Sequence, residues 1–153
     1  MDLQELKKSL ESAGKSLPST VDSLPAGFYN PLIVYGLSID LVEPGRVLCS
    51  FKVPARLLNN GNFLHGGATA SLVDIVGSAA IFAAGSPTSG ASLEINISYL
   101  DAAYLDEEVE IEAKILRMGK TIAVVNVELR KKKTGKIIAQ GRHTKYLAFS
   151  SKL

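Results

Sequence analysis

The sequence is poor in the residues that bind metals or form covalent cross-links. It has one cysteine and two histidines, and it has no tryptophan among its 153 residues. One cysteine excludes an intrachain disulfide and fits a reducing compartment. The spacing of Cys49, His65 and His143 gives no metal-site pattern, so we expect no metal and no cofactor. A net charge of +2 is too small to indicate nucleic acid or an anionic membrane as partner.

One long apolar run stands out between Gly66 and Gly85. Asp74 lies near its middle, where an acid is costly in a membrane, and Gly, Ala and Ser dominate the run. We therefore predict a buried core helix and no membrane span.

Period-two alternation predicts strands on both sides of this helix. Strands are expected at 33–42, 46–53, 92–99, 108–115, 121–131 and 136–149, with the helix at about 65–84. Runs of strands around one helix indicate an α+β fold, an antiparallel sheet wrapped around one long central helix. Residues 31–149 form this single domain. Residues 1–30 form an N-terminal extension, with an amphipathic helix over 2–13 and loop or short helix after it.

The tail, residues 150–153, ends in Ser151-Lys152-Leu153. A C-terminal S-K-L is an address read by the peroxisomal import receptor. We expect a peroxisomal protein, with the cytoplasm as the alternative.

The start of the central helix has the features of an anion site. Gly66 and Gly67 let backbone N–H groups approach a ligand, and a helix N-terminus favours negative charge. Asp74 is the only ionisable residue between Gly66 and Glu94, so it should be paired, protonated or catalytic. Eight helical residues rise about 12 Å, too far for both groups to serve one reacting atom. Either they are unrelated, or a second subunit brings its Asp74 to Gly66 in an obligate dimer.

An ordered set of motifs resembles the acyl-CoA thioesterase 13 branch of the hotdog-fold thioesterases over residues 31–149. The set comprises Asn59, His65-Gly66-Gly67, Asp74, Ser92, Arg117-Met118-Gly119-Lys120-Thr121 and Gly141-Arg142-His143-Thr144-Lys145. The resemblance implies a hotdog fold, a homotetramer built as a dimer of dimers, and hydrolysis of acyl-CoA to a free acid and CoA.

The resemblance also implies roles for individual residues. The Gly66 N–H would hold the thioester oxygen, and Asp74 of the facing subunit would act as general base or as nucleophile. Ser92 would orient water, while Asn59 and His65 would fix the loop and the thioester. The CoA groove would be lined by Tyr99, Leu100, Asp101, Ala102, Arg117, Met118, Gly119, Lys120, Thr121 and Tyr146.

Other interpretations stay open. Arg117, Lys120, Arg142 and Lys145 are candidates for the CoA phosphates, and His143 is expected to be structural or near CoA. The acyl group could be fatty or aromatic. A non-catalytic acyl-CoA-binding hotdog protein and a hotdog enoyl-CoA hydratase are the alternatives to a thioesterase.

Overall fold

The computed structural model describes residues 2–147, which fall into two units, Met1–Leu32 and Ile33–Leu153. The first unit contains α1 (Leu3–Lys15) and a 3₁₀ turn at Ser19–Ser23. Asp2 and Glu5 close a capping box, each side chain accepting a hydrogen bond from the other's backbone N–H. The predicted N-terminal helix is therefore confirmed. The Ser151-Lys152-Leu153 signal lies outside the described residues, and peroxisomal import stays a prediction.

The second unit is one antiparallel sheet folded around one long helix. Its elements are β1 (Ser38–Glu43), β2 (Arg46–Lys52), α3 (Gly66–Ala83), β3 (Ala91–Tyr99), β4 (Glu108–Met118), β5 (Ile122–Lys131) and β6 (Ile137–Tyr146). The strands are ordered β1-β2-β4-β5-β6-β3, so β3 lies at one edge although it precedes β4 in the chain. The prediction of an α+β hotdog fold is confirmed.

The core lies between α3 and one face of the sheet. Alternate residues of the central strands are fully buried, for example Ile111 on β4 and Val125 on β5, and they pack with Leu72 and Ile81 of α3. Within residues 2–147, α3 alone is long and apolar enough to cross a membrane by length and composition. Its buried residues belong to this core, as predicted for a core helix.

The prediction of a strand over 33–42 is wrong in its first half. Ile33 and Val34 end α2 (Tyr29–Val34), and the strand begins only at Ser38. Pro31 lies in the first turn of α2, where its missing N–H costs nothing. Gly36 has a φ of +89°, a conformation in which glycine readily ends a helix. The β-branched residues therefore complete a short helix before the chain turns into β1.

Cys49 is 1% exposed on β2, as expected of a lone structural cysteine. Burial, with a smaller contribution from the charge of Asp40, raises the pKa of the Cys49 thiol to about 11. The thiol is thus neutral and unreactive at physiological pH.

An ion-pair network covers the other face of the sheet. Glu112 on β4 lies between Arg46 of β2 and Arg130 of β5, with N–O distances of 2.5 and 3.6 Å. Arg130 also pairs with Glu110 and Glu128. Burial opposes ionisation of Glu112, but hydrogen bonding from Arg46 and the two positive charges outweigh it, and the pKa of Glu112 is lowered. These pairs tie three strands together.

Candidate active site

The loop before α3 is organised by Asn59. Its Oδ1 accepts hydrogen bonds from the N–H groups of Gly61 (2.9 Å) and Phe63 (3.2 Å). Asn62 takes the left-handed conformation, with a φ of +62°, which asparagine tolerates in such turns. Because the side-chain oxygen holds the loop, the NH₂ group of Asn59 is the part that could donate to a ligand.

His65 is the N-cap of α3. Its Nδ1 accepts a hydrogen bond of 2.8 Å from the Gly67 N–H. This bond requires the unprotonated Nδ1, so the neutral ring carries its proton on Nε2. A Cβ at position 67 would lie 3.0 Å from Nδ1, and the glycine there therefore gives the imidazole room to cap the helix. The Nε2–H group remains available as a hydrogen-bond donor at the N-terminus of α3.

Gly66 begins α3 and lies against Tyr99 at the end of β3. The Tyr99 hydroxyl donates a hydrogen bond of 2.9 Å to the Gly66 carbonyl. The Gly66 N–H has no hydrogen-bond partner among residues 2–147, whereas the Gly67 N–H is occupied by His65. A free N–H at the positive end of an 18-residue helix is suited to hold a developing oxyanion.

Asp74 lies two turns further along α3, with its side chain 48% exposed. Its Oδ1 is 3.7 Å from Nε2 of His143 on β6. The same Nε2 is 2.8 Å from Oγ of Ser92 on β3. Three elements thus bring a carboxylate, an imidazole and a hydroxyl together, a combination able to orient a water and accept its proton.

The small residues of α3 make this contact possible. A Cβ on Gly77 would lie 3.2 Å from Nδ1 of His143, so a larger residue would crowd the ring. His143 is 0% exposed, and its Nδ1 has no hydrogen-bond partner among the described residues. Burial lowers the pKa of His143, the positive charge of Lys145 lowers it further, and Asp74 opposes both. The imidazole is therefore neutral at physiological pH.

Lys145 does not occupy the surface position expected of a phosphate contact. It is 4% exposed, and its Nζ donates a hydrogen bond of 2.7 Å to Oγ of Ser78 on α3. The other basic candidates, Arg117, Lys120 and Arg142, are exposed. Burial lowers the pKa of Lys145, and the negative charge of Asp74 partly opposes this shift.

Two groups of site residues lie at opposite ends of β3. Ser92, with Asp74 and His143, is near its start, and Tyr99, with Gly66, is at its end. Tyr99 follows Ser92 by seven positions along the strand, a span of roughly 20 Å. Within one chain the structure therefore does not bring Gly66 and Asp74 to a common point.

The predicted CoA segments divide in the same way. Tyr99 ends β3, where it pairs with Ala139 of β6, and residues 100–102 follow it. Arg117 and Met118 end β4, and residues 119–121 form the β4–β5 turn. Tyr146 pairs with Ile122 next to this turn and with Ala91 at the start of β3. One group of CoA candidates thus lies at the Gly66 end of β3 and the other at the Asp74 end. In the described part of the chain there is no cluster of metal-binding side chains.

The sequence analysis did not predict that His143 and Lys145 lie near Asp74. The register of the sheet could have indicated it. Val125 and Ala123 of β5 are fully buried, and they pair with His143 and Lys145 of β6. If the turn at 133–135 is used to fix the register of β6 against β5, both polar side chains are predicted to point toward α3.

Comparisons with known proteins concern the family and the fold. The thioesterase superfamily model matches residues 61–138. Human acyl-coenzyme A thioesterase 13 is 45% identical over 104 residues, 68% of this chain and 74% of the human protein. The crystal structure of zebra fish thioesterase superfamily member 2 superposes with a TM-score of 0.77 at 38% identity, covering 84% of this chain and 92% of that one. The mouse member 2 structure gives 0.74 at 38% identity, covering 80% and 90%.

Proposed function

Because the chain belongs to the thioesterase superfamily and is a thioester hydrolase, we propose that it hydrolyses acyl-CoA in a site built by two subunits. The observation that supports this proposal most strongly is the division of the site along β3. The possible base, Asp74, lies beside Ser92 at one end, and the possible oxyanion donor, Gly66, lies beside Tyr99 at the other.

A second copy of the chain would complete the site. β3 is an edge strand, and nearly all of its residues are exposed, including Leu93 and Tyr99. Edge strands of this length and apolarity are usually paired or covered. Antiparallel pairing of β3 with its symmetry mate, centred near Ile95, sets the Tyr99 end of one copy beside the Ser92 end of the other. Gly66 of one subunit then faces Asp74 of its partner, twice in each dimer.

The same pairing of β3 strands brings the two groups of candidate CoA-binding residues close together. It brings segment 99–102 of one subunit toward the β4–β5 turn and Tyr146 of the other. Arg117 near the end of β4 and Lys120 in the turn are exposed cations and suit the phosphates of CoA. The assembly of two dimers into a tetramer stays a prediction.

The positions of Gly66, Asp74 and Ser92 suggest how the thioester is hydrolysed. The Gly66 N–H binds the thioester oxygen as its negative charge develops, and Asn59 and His65 offer further donors. Asp74, as general base, takes a proton from a water held by Ser92, and the water oxygen bonds to the carbonyl carbon. The C–S bond then breaks, and the sulfur takes up the proton held by Asp74, so that the acid and the CoA thiol are released. In the nucleophilic alternative, the Asp74 carboxylate bonds to the carbonyl carbon, the C–S bond breaks and CoA leaves as the thiolate, and water then cleaves the resulting anhydride to the acid and free Asp74.

Release of free CoA thiol from a panel of fatty and aromatic acyl-CoAs tests the proposal. We expect turnover by the purified protein and its loss, by at least about a hundredfold, in Asp74→Asn. Asp40→Asn on β1, an exposed acid at the opposite edge of the sheet from β3, is the matched control and keeps the wild-type rate. Ligand binding without turnover would identify a binding protein, and 3-hydroxyacyl-CoA formed from an enoyl-CoA would identify a hydratase.

A further inference from the structure

Lys145 is a buried ammonium group for which the proposed reaction has no step. It is 4% exposed and faces α3 from β6. Lysine is rarely buried unless its charge is balanced. Its hydrogen-bond partner, Oγ of Ser78, is a neutral hydroxyl and fixes the position of the ammonium without balancing its charge.

The charges nearby are those of the candidate site. Ser78 follows Asp74 by one turn of α3, on the same helix face. His143 precedes Lys145 by two residues and shares its face of β6. The other strands packed here contribute neutral groups, Ser92 from β3 and Val125 from β5. Asp74, His143 and Lys145 are thus the three titratable groups that interact at this place among the described residues.

We infer that Lys145, anchored on Ser78 beside the Asp74–His143–Ser92 contact, is a positioning residue that adds to burial in keeping His143 neutral. Its positive charge disfavours a second cation beside it. A neutral imidazole can donate or accept a hydrogen bond through Nε2 with the Ser92 hydroxyl, whereas a protonated one can only donate. The effect on turnover rests on the proposed function, whereas the electrostatic coupling does not.

Nuclear magnetic resonance tests the coupling without any turnover. The chain has two histidines, so the spectrum contains two sets of imidazole signals, and a His65→Gln spectrum assigns that of His143. Lys145→Met keeps the alkyl stem and deletes the charge, and we expect it to raise the titration midpoint of His143 by about half a pH unit or more. Lys145→Arg keeps the charge and should leave the midpoint close to wild type. An unchanged midpoint in Lys145→Met would overturn the inference.

The pH profile of kcat/KM separates this role from two others. In Lys145→Met the acid limb should move to higher pH, with the rate returning to within a few-fold of wild type above it and KM unchanged. A loss equal at every pH would mean a purely structural role, and a salt-dependent rise in KM would mean a CoA phosphate contact. Either result overturns the inference.

A second variant covers a failure of Lys145→Met to fold. Ser78→Ala removes the anchor and retains the charge, and it should raise the His143 midpoint in the same direction by a smaller amount. No shift in Ser78→Ala would then overturn the inference. If the wild-type protein releases no thiol, the proposed function fails, but the His143 titration still decides the coupling.

Discussion

Oγ of Ser92 lies 2.8 Å from Nε2 of the fully buried His143. The contact joins the edge strand β3 to β6 and holds the serine hydroxyl beside the only carboxylate of α3, that of Asp74. It gives Ser92 a defined orientation and gives the imidazole a polar partner in the core.

Replacing Ser92 with alanine tests this contact. We expect kcat to fall by about 10²-fold because the water loses its orienting group, while KM changes little. Steady-state kinetics of thiol release give both constants. Ser38→Ala, the same change at an exposed position of β1, the opposite edge strand of the sheet, should behave as wild type. An equal loss in the two variants would remove the specific role of Ser92.

Replacing Gly66 with proline deletes its N–H group and places a ring carbon on the same nitrogen. Proline is favoured at the first helical position, and the φ of −63° and ψ of 134° at His65 are those of a residue that precedes proline. We expect a loss of about 10²–10³ in kcat. Gly66→Ala, which keeps the N–H and sets its Cβ 3.4 Å from the Tyr99 ring, should lose much less. Similar rates for the two variants would exclude the N–H as oxyanion donor.

His143 should make stability depend on pH. Its pKa is lowered by burial and by Lys145. In the unfolded chain His143 therefore binds a proton near the ordinary pKa of about 6.5, whereas in the folded chain it binds one only at lower pH. The free energy of unfolding is then highest above about pH 6.5. It falls as the pH drops from there to the folded-state pKa, by up to about 1.4 kcal/mol per pH unit.

Urea unfolding of wild type and His143→Gln at several pH values between 5.5 and 7.5 measures this slope. The glutamine variant should be less stable at pH 7.5, yet should lose less stability on acidification. Parallel slopes for the two proteins would show that His143 is protonated equally in both states.

The ion-pair network on the outer face should contribute to stability through Glu112. Glu112→Gln leaves Arg46 and Arg130 without a charge that both contact, and we expect a loss of about 1–2 kcal/mol in the free energy of unfolding. Glu11→Gln on α1 breaks an exposed pair with Lys7 at 3.8 Å and should cost almost nothing. Denaturant titration compares them, and equal effects would contradict a stabilising network.

Much of the fold followed from the sequence because its signals were local. The alternation of Val109, Ile111 and Ala113 marked β4, and the apolar run with its glycine-rich start marked α3. Ile33 and Val34 were wrongly predicted to lie in a strand because β-branched side chains favour strands. The neighbouring Pro31 and Gly36, which favour the start and the end of a short helix, were the better guide. The Ser92–His143–Asp74 contact joins residues up to 69 positions apart, so it depends on sheet register rather than on any local pattern.

A mixture of two inactive variants checks the claim that Gly66 of one subunit works with Asp74 of the other. Asp74→Asn and Gly66→Pro chains with different tags are co-expressed, and the mixed dimer is purified by both tags. One of its two sites then has an intact Gly66 and an intact Asp74. We predict about half of the wild-type rate of thiol release. A mixed dimer as inactive as its parents would contradict the claim and place both groups in one chain.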